Sequence, residues 1–265
     1  MKDKEIKHYD RKELWEKLKQ SQDNKERIEK TARMIPEDVT SIADIGCGNG
    51  LFLRYINDNL EIDDLVGVDF SEKAMEELKL DKKVGDITNI PLGNNSYDLV
   101  SALEVLEHLD LDEYQRAREE LIRVSRGYIL VSTPFNEDLE LEFVKCPKCK
   151  TEFNSSHHKW SFTEERIRGL FEDRGYDCIG VEYISKRNIY LPIDHKKIKA
   201  VREYPDTVCP VCGYEIKGET KSGSITTGDL KDKTLVKLVK KILPKRETYK
   251  WIVGLYKSFS NRLSL

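Results

Sequence analysis

The chain reads as an α/β protein: a doubly wound, mostly parallel sheet with helices on both faces, an inserted module, and helical additions at both ends. Three observations predict this. The apolar run Ser41-Ile42-Ala43-Asp44-Ile45 is delivered into the turn Gly46-Cys47-Gly48-Asn49-Gly50, short apolar runs recur between helical patterns, and four of the six cysteines form two Cys-x-x-Cys pairs.

Taken in order, residues 1–36 hold two charged helical patterns, at 11–18 and 25–34, closed by Pro36, and these are expected to lid a crevice. Residues 41–45 form the first strand. Glycine at alternate positions of the turn permits positive φ and lets a ligand approach the backbone. Apolar spacing over 51–60 starts a helix there, whose amide-rich end points at the ligand. Residues 65–69 make a second strand ending in Asp69, placed where an open parallel sheet puts a carboxylate on ribose hydroxyls. A helix over 72–79, a third strand over 83–87, a fourth over 97–104, a helix over 114–124 and a fifth strand over 127–132 follow. Beyond them lie a helix over 164–174 opened by Ser161 to Glu165 with capping chemistry, and a strand over 176–184. The division is therefore 1–36 as a helical lid, 37–190 as the core with a knuckle inserted at about 143–160, 191–226 as a second knuckle with irregular chain, and 227–265 as basic amphipathic helices.

The ordered set resembles the class I S-adenosylmethionine-dependent methyltransferases of small-molecule type. The resemblance covers residues 35–184. It rests on Asp44-Ile-Gly-Cys-Gly-Asn-Gly50, Gly67-Val-Asp-Phe-Ser71, Gly85-Asp-Ile87, and Tyr97-Asp-Leu-Val100 followed by Glu104-Val-Leu-Glu-His-Leu109. A nicotinamide-binding Rossmann turn places two residues between its second and third glycines, and this turn has one. The resemblance implies a Rossmann-like fold with S-adenosylmethionine as cofactor. It also implies roles: Gly46, Gly48 and Gly50 beside the methionine part, Asp44 near its amino group, and Asp69 at the ribose, with Phe70 also binding the cofactor. Asp86 and the Ile87 amide would meet the adenine, and Glu104 the methyl-transfer side. Asp98, opening a strand, reads as a turn residue.

Cys146-Pro-Lys-Cys149 and Cys209-Pro-Val-Cys212 each offer two thiolates to one tetrahedral ion, so together they suit structural Zn2+. Closing the loop between them costs about 3–4 kcal/mol in chain entropy beyond a constant. Structural zinc supplies an apparent ~10–16 kcal/mol. A redox dithiol, or a set pairing Cys146 and Cys149 with His157 or His158, stays open. Cys47 and Cys178 read as small buried hydrophobes. Because the first knuckle follows the fifth strand, it is expected to wall the substrate pocket.

Methyl transfer from a sulfonium expels a neutral leaving group, so a base is required only for a hydroxyl acceptor. His108, His157 and His158 are the candidate bases, with Glu104 beside them, while His8 reads as incidental. Phe135, Trp160, Phe162 and Tyr190 offer aromatic surface for a ring or sugar face, or core packing. The expected acceptor is a small molecule or glycan, methylated at oxygen.

Charged residues make up 35% of the 265-residue chain, no run reaches the length of a membrane span, and residues 1–18 lack a signal-peptide core, so a cytoplasmic protein is expected. Residues 229–265 carry ten Lys or Arg against three Asp or Glu, with apolar stripes at Leu235, Leu238, Val239 and Ile242 and at Ile252, Leu255, Tyr256, Phe259 and Leu263. Such helices would lie on an anionic membrane or pack on the domain or a second copy. A membrane location would point to a lipid-linked sugar or quinone. The net charge of −3, and Ser132-Thr133-Pro134-Phe135 in place of an Asn-or-Asp-Pro-Pro-aromatic motif, argue against nucleic acid. A zinc-containing RNA-binding or RNA-methylating protein, and a non-catalytic scaffold of the same fold, remain as alternatives; oligomeric state is open.

Overall fold

The computed structural model describes residues 7–190, 207–216 and 245–259. Its centre is a seven-stranded sheet in the order β3-β2-β1-β4-β5-β11-β8. The parallel strands are β1 (Ser41–Ile45), β2 (Asp64–Asp69), β3 (Asp81–Val84), β4 (Tyr97–Leu103) and β5 (Ser125–Pro134). β11 (Lys245–Ser258) runs antiparallel between β5 and β8 (Tyr176–Tyr190). Helices α1 (Lys12–Gln20) and α2 (Gln22–Ala32) precede the sheet, α3 (Leu51–Asn59) follows β1, α4 (Leu111–Val124) precedes β5, and α5 (Glu164–Arg168) precedes β8.

The strands are apolar nearly throughout because both sheet faces are covered. Neighbouring residues feed opposite cores. Ala43, Val66, Val100 and Ile129 join one cluster with Ala117 and Leu121 of α4. Ile42, Leu65, Leu99 and Leu130 join the other with Ile28 of α2 and Phe52, Leu53 and Ile56 of α3. α4 begins at a capping box in which Asp110 and Glu113 exchange side-chain and backbone hydrogen bonds. The chain runs β1 to β2 to β3 in one direction, then returns to lay β4 on the other side of β1. That reversal opens a crevice beyond the strand ends.

Several expectations are corrected. The stripe residues Ile252, Leu255 and Tyr256 belong to a central strand, not a helix, and Phe259 follows its end. Trp251, Val253 and Leu255 pack on one sheet face, Ile252 and Tyr256 on the other, so this segment presents no apolar helix face to a membrane. Its β-branched and aromatic residues suit a strand buried on both sides, which helical spacing alone does not distinguish. Residues 72–79 form turns instead of a helix. The expected helix over 164–174 stops at Gly169, and a 3-10 turn, Glu172–Arg174, takes up the rest. β3 ends at Val84, which leaves Gly85, Asp86 and Ile87 in the loop beyond it. The stripe from Leu235 to Ile242, Leu263, most of the irregular region 191–226 and the Tyr190 side chain lie outside the described residues. Among the described residues no helix is long and apolar enough to cross a membrane.

Gly254 discriminates strand from helix in this segment. A Cβ there would meet the buried Tyr256 hydroxyl and lie 2.9 Å from Ile167. Gly254→Ala is therefore expected to lower unfolding free energy by about 1–3 kcal/mol in chemical denaturation. In a helix the same change would stabilise by up to about 1 kcal/mol.

Candidate active site

A cavity of about 410 Å³ opens at the carboxyl ends of β1, β2 and β4. Eight of the nine residues expected at the cofactor line it: Asp44, Gly46, Gly48, Asp69, Phe70, Asp86, Ile87 and Glu104. Gly46, Gly48 and Gly50 all have positive φ, at 75°, 54° and 74°. Gly50 caps α3 against Leu78 and lies off the cavity, so its task is to start the helix. A side chain at Gly48 would run into the Trp15 ring. The Gly46 and Cys47 amides donate to the Val68 carbonyl at 2.7 and 3.1 Å. Asp69 accepts from the Gly48 amide and the Ser71 amide, each at 2.8 Å, so its carboxylate holds the turn against the end of β2. Asp44 accepts from the Ser101 hydroxyl at 2.6 Å, and burial pushes its carboxyl up to about 7. Burial raises Asp69 as well. Asp86 accepts from the amide and hydroxyl of Thr88 at 2.8 and 2.6 Å. Asp98 is structural, accepting from the Thr40 and Ser41 amides and pairing with Arg126.

The leader closes over this cavity. Trp15 donates through Nε1 to the Tyr9 carbonyl at 2.7 Å, Tyr9 meets Phe70 edge to face, and the Ser71 hydroxyl donates to Asp10. From α2, Arg27 reaches Ser132 Oγ at 3.3 Å and Glu104 at 3.7 Å. Ser132 in turn donates to Glu104 at 2.8 Å. Glu104 itself sits at φ 62°, an uncommon region for a residue with a side chain, and these partners hold it there. Sequence reasoning missed Arg27 because one arginine among the leader's many charges carries no distinguishing pattern.

The three expected histidines converge on one side of the cavity, and a fourth joins them. His8 is buried against His157, with ring centroids 4.6 Å apart, and His108 meets His158 at 4.8 Å. His8 is therefore part of the site and not incidental. His157 donates from Nε2 to the Val208 carbonyl at 2.8 Å, which leaves Nδ1 unprotonated, and that atom is buried with no partner among the described residues. His158 Nδ1 donates to Glu137 at 2.5 Å, and Tyr9 Oη lies 3.2 Å from His108 Nδ1. Burial drives His8 down to about 3 and lowers His108 and His157. These three rings are neutral at physiological pH. Glu107, one residue before His108, is fully buried, and burial with the nearby charge of Glu104 pushes its carboxyl well up. Of the expected aromatic wall, Phe135 packs on Tyr183, Trp160 donates to the Leu109 carbonyl, and Phe162 is core. Tyr9, Trp15, Phe52, Phe70 and Trp251 line the cavity in their place.

The two cysteine pairs meet across 60 residues of chain. Cys146 sits on the hairpin of β6 (Phe143–Lys145) and β7 (Glu152–Asn154), and Cys209 on that of β9 (Thr207–Val208) and β10 (Glu215–Ile216). The Lys150 and Gly213 amides close the two turns on the carbonyls of Cys146 and Cys209, and both residues have positive φ. Cys146 and Cys212 Sγ are 3.6 Å apart, as are Cys149 and Cys209, and all four lie within 4.8 Å of one another. A disulfide would need about 2.05 Å, whereas four thiolates about 2.3 Å from one tetrahedral ion stand well apart. The histidines take no part in this cluster. Ser155, Ser156, His157 and His158, which follow β7, carry the module to the cavity wall.

Residues 43–131 match the family described as "Methyltransferase domain". No curated protein sequence matches the chain. Among solved structures, a SAM-dependent methyltransferase from Archaeoglobus fulgidus is similar over 92% of this chain and 98% of its own, with 16% identity and a TM-score of 0.55. An S-adenosylmethionine-dependent methyltransferase from Mesorhizobium loti aligns over 91% and 99%, with 14% identity and a TM-score of 0.50. A chain from a complex containing the Haloferax volcanii Trm112 methyltransferase activator aligns over 88% of each, with 17% identity and a TM-score of 0.52. At these identities the structural likeness is one of fold, and the family match lies over β1 to β5. The chain carries a methyltransferase domain over residues 43–131, on the fold of the class I S-adenosylmethionine-dependent methyltransferases.

Proposed function

We propose that this enzyme methylates an oxygen of a small-molecule or glycan acceptor, with the cofactor in the 410 Å³ cavity and a structural zinc ion in the four-cysteine cluster. The observation that carries the reading is that the expected cofactor positions share one cavity with the histidine cluster. Asp44 would pair with the cofactor's amino group, Asp69 with its ribose, and Asp86 and Ile87 with its adenine. The cofactor supplies an electrophilic methyl on a sulfonium. The chain's part is to align the acceptor and keep out water, which the leader does by closing on the glycine turn.

A hydroxyl acceptor must also lose a proton. His157 suits that step: it is neutral, its tautomer is fixed by the Val208 carbonyl, and its free Nδ1 is the basic atom. The zinc module holds Val208 and so holds this ring. The cavity's mixture of aromatic rings and imidazoles suits a hydroxylated ring or sugar. An acceptor screen read by S-adenosylhomocysteine release, starting with hydroxylated aromatics and sugars, tests the class; methylation confined to amines would sink it.

Asp44 gives cofactor affinity a pH dependence of known sign. A carboxylate binds the cofactor's ammonium, and a neutral carboxyl does so poorly, so affinity should rise with pH through about 7 in the free enzyme. Calorimetric titration should show that step flattened in Asp44→Asn, with affinity reduced about 10- to 100-fold as befits a charge-assisted bond. Asp69→Ala should abolish binding, because it removes both the ribose acceptor and the tie on Gly48; normal affinity in that variant would defeat the assignment.

For the metal, the four cysteines are expected to resist a thiol reagent until a strong chelator removes the ion. Cys212→Ser should expose the other three. Continued protection of Cys146 and Cys149 in that variant would show that the two knuckles do not share one ion.

A further inference from the structure

Glu107 has no task in the reading above. It is fully buried, yet among the described residues neither carboxylate oxygen has a hydrogen-bond partner. A carboxylate left so in an apolar surround is costly, and proteins keep one there by pairing it or by setting it on a cation. The cation whose charge acts on it, Arg27, is committed to Asn24, Ser132 and Glu104. What Glu107 does face is a pair of imidazoles: one oxygen and a ring nitrogen each of His108 and His158 lie within 4.8 Å of one another.

The surroundings of those imidazoles match the way metal-bound histidines are held. His158 gives its Nδ1 proton to Glu137 at 2.5 Å, and His108 has the Tyr9 hydroxyl 3.2 Å from its Nδ1. A polar partner on one ring nitrogen fixes the tautomer and leaves the Nε2 lone pair for an ion. The three donors come from two separate pieces of chain. Glu107 and His108 lie on the 3-10 turn after β4, and His158 lies on the loop after β7, in a backbone turn where His157 takes φ 64°.

We propose that Glu107, His108 and His158 bind one divalent transition-metal ion, distinct from the four-cysteine site, and that this ion receives the acceptor's oxygen. Two imidazoles and one carboxylate suit Zn2+, Mn2+ or Fe2+ better than Mg2+ or Ca2+. Three protein ligands leave coordination positions open, as catalytic sites do and the four-cysteine site does not. The role of the ion rests on the oxygen-acceptor reading; its binding does not. Held by the ion through oxygen, the acceptor hydroxyl loses its proton to His157 Nδ1 more readily. Its oxygen then forms the bond to the methyl carbon as the carbon–sulfur bond breaks. The electron pair returns to sulfur as a neutral thioether, and the metal keeps its oxidation state throughout.

The test is titration of the full chain, with its cysteine-bound ion in place, with Mn2+ alone, following free Mn2+ by electron paramagnetic resonance. Mn2+ favours oxygen and imidazole donors over thiolates, so it reports this site. One site per chain is expected, weakened at least about 10-fold in Glu107→Gln and in His158→Ala, and about 10-fold in Glu137→Gln, which touches only the partner of His158. His158 is less buried than Glu107, so its variant keeps the test decisive if Glu107→Gln does not fold. Absence of Mn2+ binding by the unmodified protein would overturn the proposal. So would unchanged affinity in a folded Glu107→Gln or His158→Ala protein. Because Mn2+ binding is read without an acceptor, failure of the oxygen reading would appear separately, in the acceptor screen.

Discussion

The bond from the Gly48 amide to Asp69 is the constraint on which the site depends. It ties the turn leaving β1 to the end of β2, and the Gly46 and Cys47 amides reinforce it on the Val68 carbonyl one residue earlier. With the turn pinned there, α3 starts at Gly50 and the cavity opens on the β4 side, where the chain reverses its direction of travel across the sheet. A side chain at Gly46 would strike Val105, and one at Gly48 would strike Trp15. The glycines are therefore required twice, once by their backbone conformation and once by the closeness of what packs on them.

The cysteine cluster does for the opposite wall what Asp69 does for the glycine turn. One knuckle interrupts the path from β5 to α5, and the other lies in the connection from β8 to β11. Bringing them together sets Thr207 and Val208 against Ser155 and His157: the Thr207 hydroxyl donates to the Ser155 carbonyl at 2.7 Å, and His157 donates to the Val208 carbonyl. The cluster thus reaches the cavity wall through hydrogen bonds, and what it fixes there is the orientation of one imidazole.

Opposing electrostatic demands meet in the same small volume. Asp44, Asp69 and Glu104 line the cavity, Glu107 is buried beside His108, and burial raises Asp44, Asp69 and Glu107. Burial also keeps His8, His108 and His157 neutral. The two groups respond oppositely to pH. The buried histidines favour the folded chain most above their unfolded pKa, about 6.5, and lose that contribution as pH falls. The raised Asp44 carboxyl favours the folded chain below about 4 and loses its contribution as pH rises through about 7. The closed leader is built from this balance, since His8 is one of its residues.

The sequence by itself determined the parallel half of the sheet, the glycine turn, the acids that line the cavity and the two cysteine knuckles, because each is local: a periodicity, a spacing, or a residue type with few conformational uses. The glycine spacing was legible from 46 to 50, and so was the order of the acids after each strand. Only the tertiary structure decided that residues 245–258 form the strand between β5 and β8, because an apolar segment buried on both sides carries no periodicity of its own. It also decided which of the scattered polar residues become a site. His8, Arg27, Glu107 and Glu137 are ordinary in sequence. They acquire chemistry when the leader, the turn after β4 and the knuckle loop are drawn to one end of the sheet, since burial and proximity, not residue identity, set their charge and their partners.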